Sequence, residues 1–114
     1  MIVVLVGQPN SGKSTIFNSV AGYKTAVSNF PGTTIEFTRS SVACAGERFE
    51  LAEIPGIYSL SSSSEDERQA RDRLLDIEPD VIVNVIDASL LGRSLELTLE
   101  LLELGRPLVV CLNM

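Results

Sequence analysis

The chain has no histidine, and only two of its 114 residues are cysteine. Without histidine a Ser/His/Asp triad cannot be assembled, and the commonest general base and the usual zinc ligand are both missing. Cys44 and Cys111 stand far apart with no Cys-x-x-Cys spacing, so they read as two small buried hydrophobes rather than a redox or metal pair. Cations are scarce too: 9 Lys and Arg face 15 Asp and Glu, for a net charge of −6. General nucleic-acid or membrane-surface binding needs a cationic face that this balance does not supply. No apolar run approaches the roughly 20 residues of a membrane-spanning helix, and the short one after Met1 stops at Gly7, so no signal peptide is read. The expectation is a soluble, cytoplasmic chain. What it does have is 45% hydrophobic residues, on a length that fits one compact domain with its own core.

Residues 2–6 (Ile-Val-Val-Leu-Val) form a continuous β-branched run, the mark of a strand covered on both faces. Residues 13–21 read as a helix carrying Ile16, Phe17 and Val20 on one side, with Gly22 as its C-cap. Residues 23–34 hold Asn29, Pro31 and Gly32 without periodicity and read as a loop. Residues 35–43 and 48–54 alternate around Ala45-Gly46, which predicts an antiparallel hairpin. Pro55-Gly56 ends that strand, and a serine-rich loop comes next. Ser64 with Glu67 forms a capping-box pattern opening a helix to about Leu75, with Glu67 and Arg71 one turn apart as an exposed pair.

Residues 81–86 read as a second buried strand ending at Asp87, a turn former or N-cap for the next helix, and residues 108–112 as a third. Between them Leu91, Leu95, Leu99 and Leu102 repeat at helical spacing, widened by Leu97, Leu101 and Leu104, and predict a core face against a sheet. Strand–helix alternation of this kind implies an α/β fold, a mostly parallel sheet with one antiparallel hairpin and helices on both faces. Ligands in such sheets sit at the carboxyl ends of the strands, here Gly7, Pro55, Asp87 and Asn113.

The first of those ends carries Gly7-Gln8-Pro9-Asn10-Ser11-Gly12-Lys13-Ser14, a match to GxxxxGK[ST] placed after a buried strand and opening a helix. Glycines let successive backbone N–H groups turn inward around a phosphate, and the helix N-terminus adds partial positive charge. Lys13 is suited to bridge β- and γ-phosphates, and the Ser14 hydroxyl is a hard oxygen ligand for Mg²⁺. Residues 7–15, Thr15 included, are the expected nucleoside-triphosphate site. The motif does not separate ATP from GTP, but later residues bear on the question. Thr33-Thr34 lies where a switch threonine would close on Mg²⁺ and the γ-phosphate. Glu53-Ile54-Pro55-Gly56 is a DxxG-like element whose Gly56 N–H could meet the γ-phosphate, and Asn113 stands where a guanine-reading NxxD would begin.

The ordered set GQPNSGKS, SNFPGTTIE, EIPGIYSL, NVIDASLLGRSLELTLELLELGRP and the terminal NM resembles the amino-terminal G domain of the ferrous-iron transport protein B family along essentially the whole chain. The resemblance implies a Ras-like G domain that binds GTP and GDP with Mg²⁺, on the cytoplasmic side of an integral cell-membrane iron transporter. A helical regulatory domain and a membrane iron pore would be its partners, with homo-oligomerisation through the parent protein, and this chain would be a single incomplete domain truncated before the last strands. Carried over by position, residues 7–14 hold the phosphates, Thr34 is the switch I Mg²⁺ ligand beside Thr33, Gly56 is the switch II glycine and Asn113 faces guanine. Asn10 would help hold a K⁺ beside the phosphates, with carbonyls of residues 28–32 completing the shell; its other reading is a turn residue.

Three features depart from the family pattern. Glu53 replaces the usual Asp, one methylene longer, where the carboxylate would hold Mg²⁺ through water. The Asp completing NMxD lies past Met114, and Ile57 stands where Ras-like proteins place a glutamine. Slow hydrolysis, stimulated by K⁺, is the expectation, with Lys13, Thr34, Gly56 and Asn10 as its catalytic set. Tyr58 and Phe30 read as packing residues. Competing readings are a ribosome-assembly GTPase of the Era or EngA type, a nucleotide-binding module with negligible turnover, and a P-loop ATPase. The acidic balance and PGIYSL disfavour the first, and Asn113 the last.

Overall fold

The computed structural model describes residues 1–21, 26–29, 36–60 and 65–113. Gly22, Phe30, Thr33, Thr34 and Ser64 lie outside that set, as does the Glu67 side chain of the expected pair with Arg71. The elements run β1 (Ile2–Gly7), α1 (Lys13–Ala21), β2 (Ala26–Asn29), β3 (Glu36–Cys44), β4 (Glu47–Glu53), α2 (Glu65–Ile77), β5 (Val81–Asp87), α3 (Leu91–Leu102) and β6 (Leu108–Asn113). A 3₁₀ turn at Ala88–Leu90 leads into α3. Among the described residues no helix is long and apolar enough to cross a membrane.

Six strands make one sheet in the order β2-β3-β4-β1-β5-β6. The parallel half, β4-β1-β5-β6, joins the three strands expected from apolar runs to the second strand of the hairpin, with Leu5 opposite Glu53, Gly7 opposite Val85 and Asp87 opposite Asn113. All four carboxyl ends therefore meet at one edge. The β3–β4 hairpin turns on Ala45 (φ 51°) and Gly46 (φ 82°), the two positive dihedrals of a type I′ connection.

β2 corrects the expectation of an unbroken loop over residues 23–34 and adds a second antiparallel pairing, Val27 with Thr38 and Ser28 with Phe37. This four-residue edge strand carries no apolar alternation of its own, because it is recruited by the open backbone of β3 rather than by a face that needs burial.

Period-two alternation in β1 divides the core. Val4 and Val6 join Ile54, Leu74 of α2 and Leu97 and Leu101 of α3 on one face. Leu5 joins Phe17 of α1, Leu51 and Val85 on the other. On α1 the buried stripe runs through Phe17 and Ala21 with Ile16, while Val20 stays 49% exposed.

The leucine helix corrects the sequence reading more sharply. Leu97 and Leu101 are buried and Leu104 packs on the core, as expected, but Leu91, Leu95, Leu99 and Leu102 are all exposed. The face turned to the sheet carries Ser94 and Thr98 beside the two buried leucines. Its polar members are there for a reason: buried Asn84 of β5 donates to the Val6 carbonyl at 3.2 Å and accepts from Thr98 Oγ1 at 2.5 Å. Leucine spacing alone selects the wrong side of α3, because it ignores the hydroxyls that satisfy a core amide. β6 is the outermost of the described strands beside β5, and Val109, Val110 and Leu112 are exposed within this chain. Cys44 is exposed beside the hairpin turn and Cys111 half-buried on that strand, so neither is the fully buried hydrophobe expected.

Candidate functional site

The chain leaves β1 at Gly7, turns through residues 8–12 and enters α1 at Lys13. Asn10 adopts φ 66°, a left-handed position that asparagine tolerates, and Ser11 N–H donates to the Gln8 carbonyl at 3.2 Å to close the turn. The first helical bond of α1 comes next, from Ile16 N–H to the Gly12 carbonyl at 3.1 Å. Gly12 sits at φ +90°, and a Cβ there would collide with the side-chain amide of Asn113. At Gly56 a Cβ would lie 2.7 Å from the Pro9 nitrogen, so the segment after β4 can lie against the loop only with glycine there.

Three hydrogen bonds fix the loop to its surroundings. Asn113 Nδ2 donates to the Ser11 carbonyl at 3.0 Å, tying the end of β6 to the turn. Gln8 Nε2 donates to the Arg93 carbonyl of α3 at 3.1 Å, and Ile57 N–H donates to the Gly7 carbonyl at 3.1 Å. Gln8 and Ser11 are buried in consequence.

Lys13 is 8% exposed, an unusual place for an ammonium, and its Nζ lies 3.2 Å from Glu53 Oε1. Ser14 Oγ donates to the same oxygen at 2.6 Å. That hydroxyl and that carboxylate are hard oxygen donors side by side, chemistry that fits Mg²⁺. Among the described residues no group of three or more Cys, Asp or Glu could hold a metal, so phosphate oxygens would have to complete the shell. The loop likewise fits a phosphate: a tight backbone turn runs straight into the N-terminus of α1, with the buried Lys13 ammonium beside it.

Residues 7–15, Glu53, Gly56 and Asn113 thus come together at the strand-end edge, with Thr15 exposed in the first turn of α1. Thr33 and Thr34 lie outside the described residues, as do positions 30–32 of the expected K⁺ shell; Ser28 and Asn29 belong to β2 at the far edge of the sheet. Asp87 is the cap that its position predicts, accepting from Ser89 N–H at 2.9 Å and from Ser89 Oγ at 2.6 Å. Those two bonds, the hydroxyl's first, hold its carboxyl below the ordinary 3.8. Tyr58 is 52% exposed, whereas Ile57 is 2% exposed and part of the core. The sequence reading missed the direct reach of Glu53 to both Lys13 and Ser14. The signal available was its extra methylene, which lengthens the reach of the carboxylate.

A family model described as ferrous iron transport protein B matches residues 1–114. The chain is 45% identical over 103 residues to the Fe(2+) transporter FeoB of Methanocaldococcus jannaschii, across 90% of this chain and 15% of that protein. It is 43% identical to the Legionella pneumophila transporter of the same name, again over 15% of its length. The chain therefore spans roughly one seventh of these curated relatives. Among solved structures, the cytosolic domain of L. pneumophila FeoB superposes with a TM-score of 0.92 at 42% identity, covering 100% of this chain and 50% of that one. The G domain of T. maritima FeoB gives 0.91 at 38% identity, over 98% and 70%. A GDP-bound S. thermophilus FeoB variant gives 0.89 at 42% identity, over 100% and 44%.

Proposed function

The chain belongs to the ferrous iron transport protein B family, and on that premise we propose that residues 1–114 form a guanine-nucleotide switch controlling ferrous-iron uptake across the cell membrane. The observation that carries this reading is the convergence of residues 7–15, Glu53, Gly56 and Asn113 at one edge of a sheet shared with a GDP-bound relative. Backbone N–H groups of residues 8–14, Pro9 excepted, receive the phosphates and Lys13 holds them in place. Asn113, already braced against the loop, stands beside the base, and Gly56 gives the segment after β4 its close approach to Pro9. Ser14 and Glu53 would hold Mg²⁺, with Thr34 joining them from switch I beside Thr33. When bound, that ion offsets charge on the phosphate oxygens.

The switch works on the cytoplasmic side of a membrane protein, alongside the helical regulatory domain and iron pore of its parent, with homo-oligomerisation arising through that parent. No nucleic acid is a partner, in keeping with a net charge of −6.

Hydrolysis of GTP to GDP and phosphate is slow, because Ile57 follows Gly56 with its side chain in the core, where it cannot orient an attacking water. A K⁺ beside Asn10 would supply the missing charge. That same burial of Ile57 favours a second reading, a nucleotide-binding module with negligible turnover. Phosphate release in KCl against NaCl separates them. The switch reading expects faster turnover in KCl that Asn10→Ala abolishes while GDP binding survives. Equal turnover near background in both salts, with GDP binding intact, favours the module, and absence of GDP binding removes both.

A further inference from the structure

We infer that Glu53 is a resident anion of the phosphate site, occupying the donors a nucleotide needs and making phosphate entry conditional on a divalent cation. The inference rests on the guanine-nucleotide reading of this loop and assigns its regulation to one side chain. A single oxygen, Glu53 Oε1, takes both Lys13 Nζ at 3.2 Å and Ser14 Oγ at 2.6 Å. The lysine and glutamate side chains are 9% and 12% exposed, so water screens the pair poorly. Lys13 is thus already satisfied before any ligand arrives. A phosphate gains only the difference between its own contact with the ammonium and the one it displaces.

The displaced carboxylate does not leave the site, because its backbone is held in β4 next to β1, with Leu5 opposite Glu53. Without a metal it stays as a negative charge beside the incoming phosphates, and like charges in a poorly hydrated site repel strongly. With Mg²⁺ present, the same carboxylate and the freed Ser14 hydroxyl are ligands for the cation, and the opposition becomes attraction. Side-chain length decides how strongly this operates. An aspartate at position 53 is shorter by one carbon–carbon bond, about 1.5 Å, and cannot keep contact with Lys13 and Ser14 from the same backbone position.

The test is GDP affinity of the whole chain, followed with a fluorescent GDP analogue, in excess EDTA and in millimolar Mg²⁺, for wild type, Glu53→Gln and Glu53→Asp. Wild type is expected to bind at least tenfold more weakly in EDTA than in Mg²⁺. Glu53→Gln is expected to bind at least tenfold more tightly than wild type in EDTA, with its response to Mg²⁺ reduced to under threefold. Glu53→Asp should also bind more tightly than wild type in EDTA while keeping a clear Mg²⁺ response, which a generic carboxylate effect would not produce. Thermal melting gives a readout free of nucleotide: Glu53→Gln should melt below wild type without GDP, because Lys13 loses its partner, and GDP in EDTA should close that gap. Affinities in EDTA within twofold of each other for all three proteins would overturn the inference and leave the nucleotide site standing. Failure of all three to bind GDP in either buffer would remove the site itself, and this inference with it.

Discussion

Two regions of this small domain invert the ordinary relation between polarity and burial. At the phosphate-loop edge the side chains are polar and hidden: Gln8, Ser11 and Lys13 are each 8% exposed or less. On the flank made by α3 and β6 they are apolar and open: Leu99 and Leu112 are each 62% exposed and Leu102 is 54%. Gln8 and Lys13 are buried with their side chains anchored, to the Arg93 carbonyl and to Glu53, while Ser11 is held by its carbonyl on Asn113 and its buried Oγ has no partner within the described residues. Within this chain the flank's leucines are uncovered, on the side of α3 turned away from the one on which Thr98 satisfies Asn84. Hydrophobicity says which groups seek cover, and by itself it does not say which of them find it.

The comparison can be broken first at the loop. Lys13→Ala should lower GDP and GTP affinity about 100-fold or more, since it removes a charge-assisted contact and leaves Glu53 without its cation; calorimetry in Mg²⁺ checks it, and retained affinity would show that the buried ammonium is structural. A next, smaller effect separates the two faces of α3. Leu101→Ala should cost about 2–5 kcal/mol in urea unfolding, and Leu99→Ala should stay within about 0.5 kcal/mol. Equal losses would mean that the exposed leucines pack after all. The smallest effect lies at Asp87. Its folded carboxyl titrates below the ordinary value, so its contribution is complete above about pH 4 and is lost as pH falls through the lowered folded value. Asp87→Ala should therefore flatten the acid limb of a stability–pH profile, and an unchanged limb would show that the Ser89 bonds contribute nothing.

Much of the loop edge was legible in the sequence because its constraints are local. GxxxxGKS after an apolar run fixes a turn, a helix start and the positions of Lys13 and Ser14 without reference to anything distant. Three of the four parallel strands are equally local, runs made mostly of Val, Ile and Leu in β1, β5 and β6, whereas β4 (Glu-Arg-Phe-Glu-Leu-Ala-Glu) is legible only by its alternation. What escaped was set by partners remote in sequence. β2 exists because β3 offers it a backbone, and the buried face of α3 is chosen by Asn84 on another strand. The reach of Glu53 onto Lys13 and Ser14 depends on the register that sets β4 beside β1. Asn113 was read as facing a base, and its grip on the Ser11 carbonyl became visible only once β6 was placed at the end of the same edge.

The central claim is that the amides between β1 and α1 cradle the phosphates of a guanine nucleotide. Amide chemical shifts of the ¹⁵N-labelled chain, recorded as GDP–Mg²⁺ is added, test it most directly. Large shifts concentrated at residues 8–15, absent in Lys13→Ala, are the predicted result. A spectrum in which those amides stay still at millimolar GDP–Mg²⁺ would contradict it.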